Sequence, residues 1–117
     1  MSLQIVKSQP FREMTILTLT GKLILGADCQ QLEHAIDDLI AEGTKRVVID
    51  MTSLDGIDST GAGILVVLHG KLHKVGGSVR IAGAQGIVHE ALSMIHIDRL
   101  VPFYATAQEA SQSLVTP

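Results

Sequence analysis

Two adjacent hydroxyls, Ser59 and Thr60, stand between an acid and a glycine in the stretch Ile57-Asp58-Ser59-Thr60-Gly61-Ala62-Gly63. The apolar run Arg46-Val47-Val48-Ile49-Asp50 before it predicts a buried strand. After it, Ile64-Leu65-Val66-Val67-Leu68 opens a predicted helix that runs to Gly76-Gly77. The hydroxyl pair is thus expected at a strand–loop–helix junction, where the first backbone N–H groups of a helix lack intrahelical partners. Such an end carries partial positive charge and suits an anion, a phosphate attached to the chain itself included. Ser59 is the first candidate phosphoacceptor and Thr60 the second. The plain structural alternative for Ser59 is an N-cap hydroxyl.

Other chemistries fit less well. A serine nucleophile on an elbow needs Gly-x-Ser-x-Gly, and Gly56-Ile57-Asp58-Ser59-Thr60-Gly61 has one residue too many before the serine. Gly70-Lys71 follows an apolar helical run and is not preceded by the glycine-rich turn of a P-loop. Asp50 ends a predicted central strand, as a receiver-domain phosphoacceptor would, but the early acidic pair that would hold its magnesium is missing. It is expected to bond loop amides instead. His69 and His73 are four apart on the second helix and have the spacing of a metal pair. Lys71 and Lys74 beside them favour a solvated face, and no metal or cofactor is expected. Met51 and Met94 are expected to fill the core. Ile87, Val88 and the residues after them are expected to be buried, a partner surface being the other use of such a run.

These residues must be positioned by a short series of elements. Leu3–Ser8 and Met14–Thr20 predict two opening strands, the second alternating and β-branched, with a turn from Gln9-Pro10 to Glu13. Gly21 is expected to end the second strand, with Lys22–Leu25 adding a short edge strand. Asp28 then predicts an N-cap with Gln31 as its capping-box partner. Leu32, Ala35, Ile36, Leu39 and Ile40 recur at helical spacing up to a C′ glycine, Gly43. Val47-Val48-Ile49 lacks polar alternation and predicts a strand covered on both faces. The second helix, Ser59 to Val75, is expected to bury Ile64, Leu65, Val67, Leu68, Leu72 and Val75. Ser78–Ala82 returns as a strand, and Ile87, Val88, Ala91, Leu92 and Ile95 mark a third helix. Val101–Tyr104 predicts a short edge strand, and Thr106–Glu109 a capping box for a last helix through Leu114. The order predicts an α/β fold: a mixed sheet with helices packed mainly on one side, rather than a doubly wound sheet.

The totals narrow the function. At 117 residues the chain is expected to be one domain, 1–117, with a single core. That core is aliphatic, since 46% of residues are hydrophobic and only 3% aromatic. A net charge of −3 argues against direct nucleic-acid binding, which needs a basic face. The single Cys29 fits a reducing compartment. No leader pattern is visible, and no apolar run approaches the ~20 residues that span a bilayer. A cytoplasmic location and no membrane partner are expected.

With these elements in place the chain resembles the STAS domain family, and within it the free-standing anti-sigma factor antagonists, over nearly its whole length. The resemblance rests on Thr18-Leu19-Thr20-Gly21-Lys22-Leu23, Val47-Val48-Ile49-Asp50-Met51-Thr52, Ile57–Gly63, Gly76-Gly77 before a strand, and Ala107-Gln108-Glu109-Ala110. It implies a non-enzymatic partner switch. Ser59 would be phosphorylated by an anti-sigma factor that is also a GHKL-type kinase, and a PP2C-type phosphatase would reset it. The unphosphorylated form would bind the kinase and free the sigma factor. By the same carry-over Asp58 shapes the acceptor loop, Thr60 is the adjacent hydroxyl, and Gly61 and Gly63 leave room for a partner. Many members have an acidic residue just after the Gly-x-Leu that ends the second strand, contributing to the partner contact. Here Ile24 stands there, and Asp28 is the next acidic residue and the candidate for that contact. The departure also admits a scaffold STAS protein of a larger signalling complex.

Overall fold

A computed structural model describes residues 3–115. It contains a five-stranded sheet whose spatial order follows the chain: β1 (Gln4–Phe11), β2 (Met14–Leu23), β3 (Arg46–Ile57), β4 (Ser78–Ala82) and β5 (Phe103–Tyr104). β1 runs antiparallel to β2, and the remaining pairs are parallel. Between the strands lie α1 (Ala27–Ala41), α2 (Ser59–Lys74) and α3 (Gly86–Met94), and α4 (Ala107–Val115) closes the described chain. The expected α/β architecture with a mixed sheet is what the chain adopts.

Alternation along β3 shows how the layers arise. Val47 and Ile49 point into the main core, shared with Leu32 and Ile36 of α1, Leu65 and Leu68 of α2, and Val88 and Leu92 of α3. Val48 points the other way, into a smaller cluster with Ala82 and with Ala110 of α4. Both faces of the central strand are therefore dry, and the larger layer of helices lies on one side. α1 and α2 are also tied across their exposed edge, where Lys71 Nζ lies 2.7 Å from a Glu33 oxygen and 2.8 Å from an Asp37 oxygen. The two carboxylates hold the Lys71 ammonium above its usual range, through hydrogen bonds first to Asp37 and then to Glu33.

Several expectations about element ends are corrected. β3 does not stop at Asp50 but runs to Ile57, with register shifts against β2 on the way. Val47, Ile49 and Met51, which face the main core, keep period two, and then the buried Leu54 and the half-buried Ile57 follow at intervals of three. Each bulged residue breaks the alternation by which a strand is recognised. The Asp50 carboxylate lies at the first irregularity, where Oδ1 accepts from Thr52 N (3.0 Å) and from Thr52 Oγ1 (2.7 Å). Gly21 likewise does not end β2. It takes a φ of 99° inside the strand, and the residues expected to form a separate edge strand continue β2 through Leu23. The opening turn is tighter than expected, because β1 reaches Phe11 and leaves Arg12-Glu13.

Asp28 is not the N-cap of α1. Gly26 occupies the cap with no side-chain bond, and Asp28 Oδ1 instead accepts from Leu3 N at 3.2 Å. Val67 is exposed, as is Met94, at 80%, so neither fills the core as expected. Met51 does, and Ile87 is 70% exposed while Val88 is buried. The last capping residue is as read: Thr106 Oγ1 accepts from Glu109 N at 3.1 Å.

Candidate functional site

β2 and β3 run parallel and end together, with Leu23 opposite Ile57. The chain leaves β2 through Ile24-Leu25-Gly26 into α1, and leaves β3 through Asp58 directly into α2. Two helix starts therefore lie side by side at the C-terminal ends of adjacent parallel strands, where open α/β sheets present their sites.

Asp58 joins the two. It is the N-cap of α2, in extended conformation, and its Oδ1 accepts from Gly61 N at 2.7 Å. Its Oδ2 reaches across to accept from Leu25 N at 2.9 Å. The backbone adds to the clamp, since Asp58 N donates to the Leu23 carbonyl at 3.3 Å and Ala62 N to the Asp58 carbonyl at 2.9 Å. These donors stabilise the carboxylate, the Gly61 amide most and the Leu25 amide next, and hold its pKa below the usual range.

The cap position corrects one alternative. Ser59 is the first residue of α2 rather than its cap, and both Ser59 and Thr60 are exposed. Among the described residues no side chain is hydrogen-bonded to the Ser59 hydroxyl. A free alcohol needs a general base beside it to react, and the described residues place no hydrogen-bonded base on Ser59. Asp58 already takes the Gly61 and Ala62 amides, and the positive end of the helix favours a negative group at its first position.

The two glycines divide. Gly61 is buried, and the space of its missing side chain is taken up by the chain itself: a Cβ there would run into the Leu23 carbonyl oxygen, and would lie 2.9 Å from Leu23 C and 3.1 Å from Ile57 Cγ1. The room expected for a partner at Gly61 is therefore occupied from within. Gly63 has nothing within 4 Å of that position. Asp28, the remaining acidic candidate, is half-buried behind the Leu3 amide.

The sequence predicts Leu25 as the end of an edge strand, whereas it lies on the connection between β2 and α1. It is 72% exposed and Ile24 39%, and both border Asp58. The buried Cys29 thiol donates to the Ile24 carbonyl at 3.2 Å. Burial, followed by the charges of Asp58 and Asp28, pushes the Cys29 pKa up, so it is an inert strut. His69 and His73 stack with ring centroids 5.9 Å apart, and among the described residues no group of metal-ligating side chains assembles. Nor is any helix there long and apolar enough to cross a membrane.

Asp58→Asn tests the clamp. Both carboxylate oxygens accept from backbone N–H groups, whereas an amide offers one oxygen and turns an NH2 toward the other donor. The substitution is expected to cost about 1–2 kcal/mol, read from urea unfolding at pH 7. Because the folded pKa is depressed, this contribution is present above the unfolded value of about 4 and is lost as pH falls through the folded one. The gap between wild type and Asp58→Asn should therefore narrow below about pH 4. A gap that stays constant to lower pH would contradict the charge-based clamp.

Comparison with known proteins bears on the family and the fold. The STAS domain profile matches residues 3–110. A Thermotoga neapolitana protein, provisionally named as an anti-sigma factor antagonist, is 26% identical over 78 residues, covering 67% of this chain and 69% of its own. An anti-sigma factor antagonist from Mycobacterium paratuberculosis superposes with a TM-score of 0.84 at 20% identity, over 98% of this chain and 96% of that one. The Bacillus protein SpoIIAA in its phosphorylated form gives 0.75 at 19% identity, over 95% and 99%. Its unphosphorylated form gives 0.75 at 20% identity, over 97% and 100%.

Proposed function

Because the chain belongs to the STAS domain family, we propose that it is an anti-sigma factor antagonist, a binding module switched by phosphorylation of Ser59. In this reading the unphosphorylated chain binds an anti-sigma factor that is also a GHKL-type serine kinase, and so frees the sigma factor. Phosphate on Ser59 ends that binding, and a PP2C-type phosphatase restores it. Thr60 is the secondary acceptor, and Asp58, Gly63 and Asp28 belong to the partner-facing region. The observation that carries the reading is the placement of Ser59: exposed, first in α2, and beside a carboxylate that fixes the loop without blocking the hydroxyl. The names of the relatives supply the partner class, and SpoIIAA, which has the same fold, has been solved in a phosphorylated form.

The test is to incubate the chain with ATP and an extract of its source organism, then map phosphate by mass spectrometry. Wild type is expected to carry it on the Ser59 peptide, and Ser59→Ala to take up less than about a tenth as much. The alanine variant should fold normally, because the cap it would disturb belongs to Asp58. Equal incorporation into both proteins would remove Ser59 as the acceptor.

A further inference from the structure

At the end of the sheet opposite Ser59, two buried positions hold hydroxyls. Thr15 stands on the same face of β2 as the core residues Leu17 and Leu19, and Thr44 precedes β3. They are 5% and 7% exposed. Among the described residues neither hydroxyl is bonded to a protein group, and neither is sealed from the surface as the Ser111 hydroxyl is. Both open into one polar cleft between the β1–β2 hairpin and the C-terminal end of α1. Its two lobes, of about 200 and 370 Å³, share Thr15 and Glu42. That is room for one small molecule.

The rim carries both signs of charge. Glu42 is the C-cap of α1, where the helix already ends in partial negative charge, and no basic side chain stands in the last turn. Glu13 and Arg12 line the same lobe as Thr44, and Lys7 lines the other. The ion pairs among the described residues are both made by Lys71, so none of these four charges is paired with another. Two carboxylates at a helix C-terminus favour an ammonium. The neighbouring guanidinium favours a carboxylate, which it can hold through two parallel bonds. A largely buried hydroxyl with no partner costs stability that a bonding ligand restores. The chemistry that answers all three is a compact molecule with an ammonium, a carboxylate and further polar atoms.

We infer that this cleft is a binding site for a free amino acid with a polar side chain. The ligand's ammonium faces Glu42 and the carbonyl end of α1, its carboxylate faces Arg12, and the Thr15 and Thr44 hydroxyls bond it from the floor. The site is separate from the phosphoacceptor. Thr15 pairs with Val47 near the start of the two parallel strands, whereas Ser59 follows their far ends, where Leu23 pairs with Ile57. Its occupation stabilises the folded chain by mass action, whether or not Ser59 is a phosphorylation switch.

The probe is L-glutamine, compared with ethanolamine, which carries the ammonium alone, and acetate, which carries the carboxylate alone. Each is titrated into the full chain while backbone amides are followed by proton–nitrogen NMR. L-glutamine is expected to shift the Thr15, Gly43 and Thr44 amides saturably, and each single-charge probe to bind at least about tenfold more weakly. Glu42→Gln and Thr15→Val should each weaken L-glutamine at least about tenfold. Without ligand, both variants should melt at or above the wild-type temperature. The first relieves a like charge at the helix end, and the second replaces an unbonded hydroxyl. Weaker binding without weaker folding is a result that a merely structural role for these residues would not give. The site is overturned if no saturable shift is seen at about 10 mM L-glutamine, or if the shifts lie elsewhere in the chain. Equal affinity of wild type and both variants would overturn it too. Acetate or ethanolamine binding as tightly as L-glutamine would overturn the amino-acid ligand.

Discussion

Gly61→Ala is expected to destabilise the fold by roughly 3 kcal/mol or more, the largest stability effect of any change at the site. Alanine is the better helix former by about 1 kcal/mol, so the effect runs against propensity and must come from packing. The obstacle is backbone: the added methyl meets the carbonyl of Leu23, the last residue of β2. That carbonyl cannot swing aside as a side chain would, because it accepts from Asp58 N and its strand is paired with β3 as far as Ile57. Relief requires the first turn of α2 to move away from β2. Movement of that turn also stretches the 2.7 Å bond from Gly61 N to Asp58. Gly63→Ala is the matched control, since nothing lies within 4 Å of its Cβ position. It should stabilise by up to about 1 kcal/mol. Urea unfolding of the three proteins gives the comparison. Similar midpoints for the two alanine variants would refute the packing argument.

Which parts of this fold could be read in the sequence depends on how regular each element is. The helix from Leu32 to Ile40 shows its apolar spacing and its C′ glycine, and α1 ends with Gly43 at a φ of 91°. Val47-Val48-Ile49 reads as a strand buried on both faces and is one. The errors fall where geometry is irregular. The sequence predicts an end for β3 at Asp50 because bulges spoil period two, and an end for β2 at Gly21 because a glycine there reads as punctuation. Asp28 followed by Gln31 has a capping spacing, but a capping box does not reveal that the preceding Gly26 takes the cap. Met94 and Val67 are apolar at helical spacing, yet neither faces a layer of the core.

The candidate site was legible in part for a similar reason. The motif located Ser59 and Asp58 at a helix start, a local feature. What Asp58 binds on its second oxygen is not local: Leu25 is 33 positions away, and only the parallel pairing of β2 with β3 brings it there. The exposure of Ile24 and Leu25 beside Asp58 was hidden by the same misplacement of the end of β2. Gly61 could be recognised as a position of close approach, but not that the approach is made by the chain's own β2.

Phosphate on Ser59 is expected to weaken binding to the partner kinase by on the order of a hundredfold, or roughly 3 kcal/mol, without unfolding the chain. A phosphoserine adds about −1.5 to −2 charges and three strong acceptor oxygens. At the first position of α2 the helix end favours that charge, while Asp58 already places a carboxylate beside it and Asp55 is exposed nearby. On the proposed function, the fold should tolerate the group and a partner surface fitted to an uncharged hydroxyl should not. Ser59→Asp carries one charge and fewer acceptor oxygens, so it should reproduce only part of the loss, about tenfold. Its melting temperature should equal or slightly exceed that of wild type, because an acidic residue in the first turn is worth about 0.3–1 kcal/mol. Titrating the anti-sigma factor kinase of the proposed switch with unmodified, phosphorylated and Ser59→Asp protein at two salt concentrations also identifies the force involved. Charge repulsion across exposed surface is screened over ~10 Å at 0.1 M salt, so a repulsive penalty shrinks as salt rises, whereas a steric one does not. Equal affinity of the phosphorylated and unmodified forms would show that Ser59 phosphorylation is not the switch.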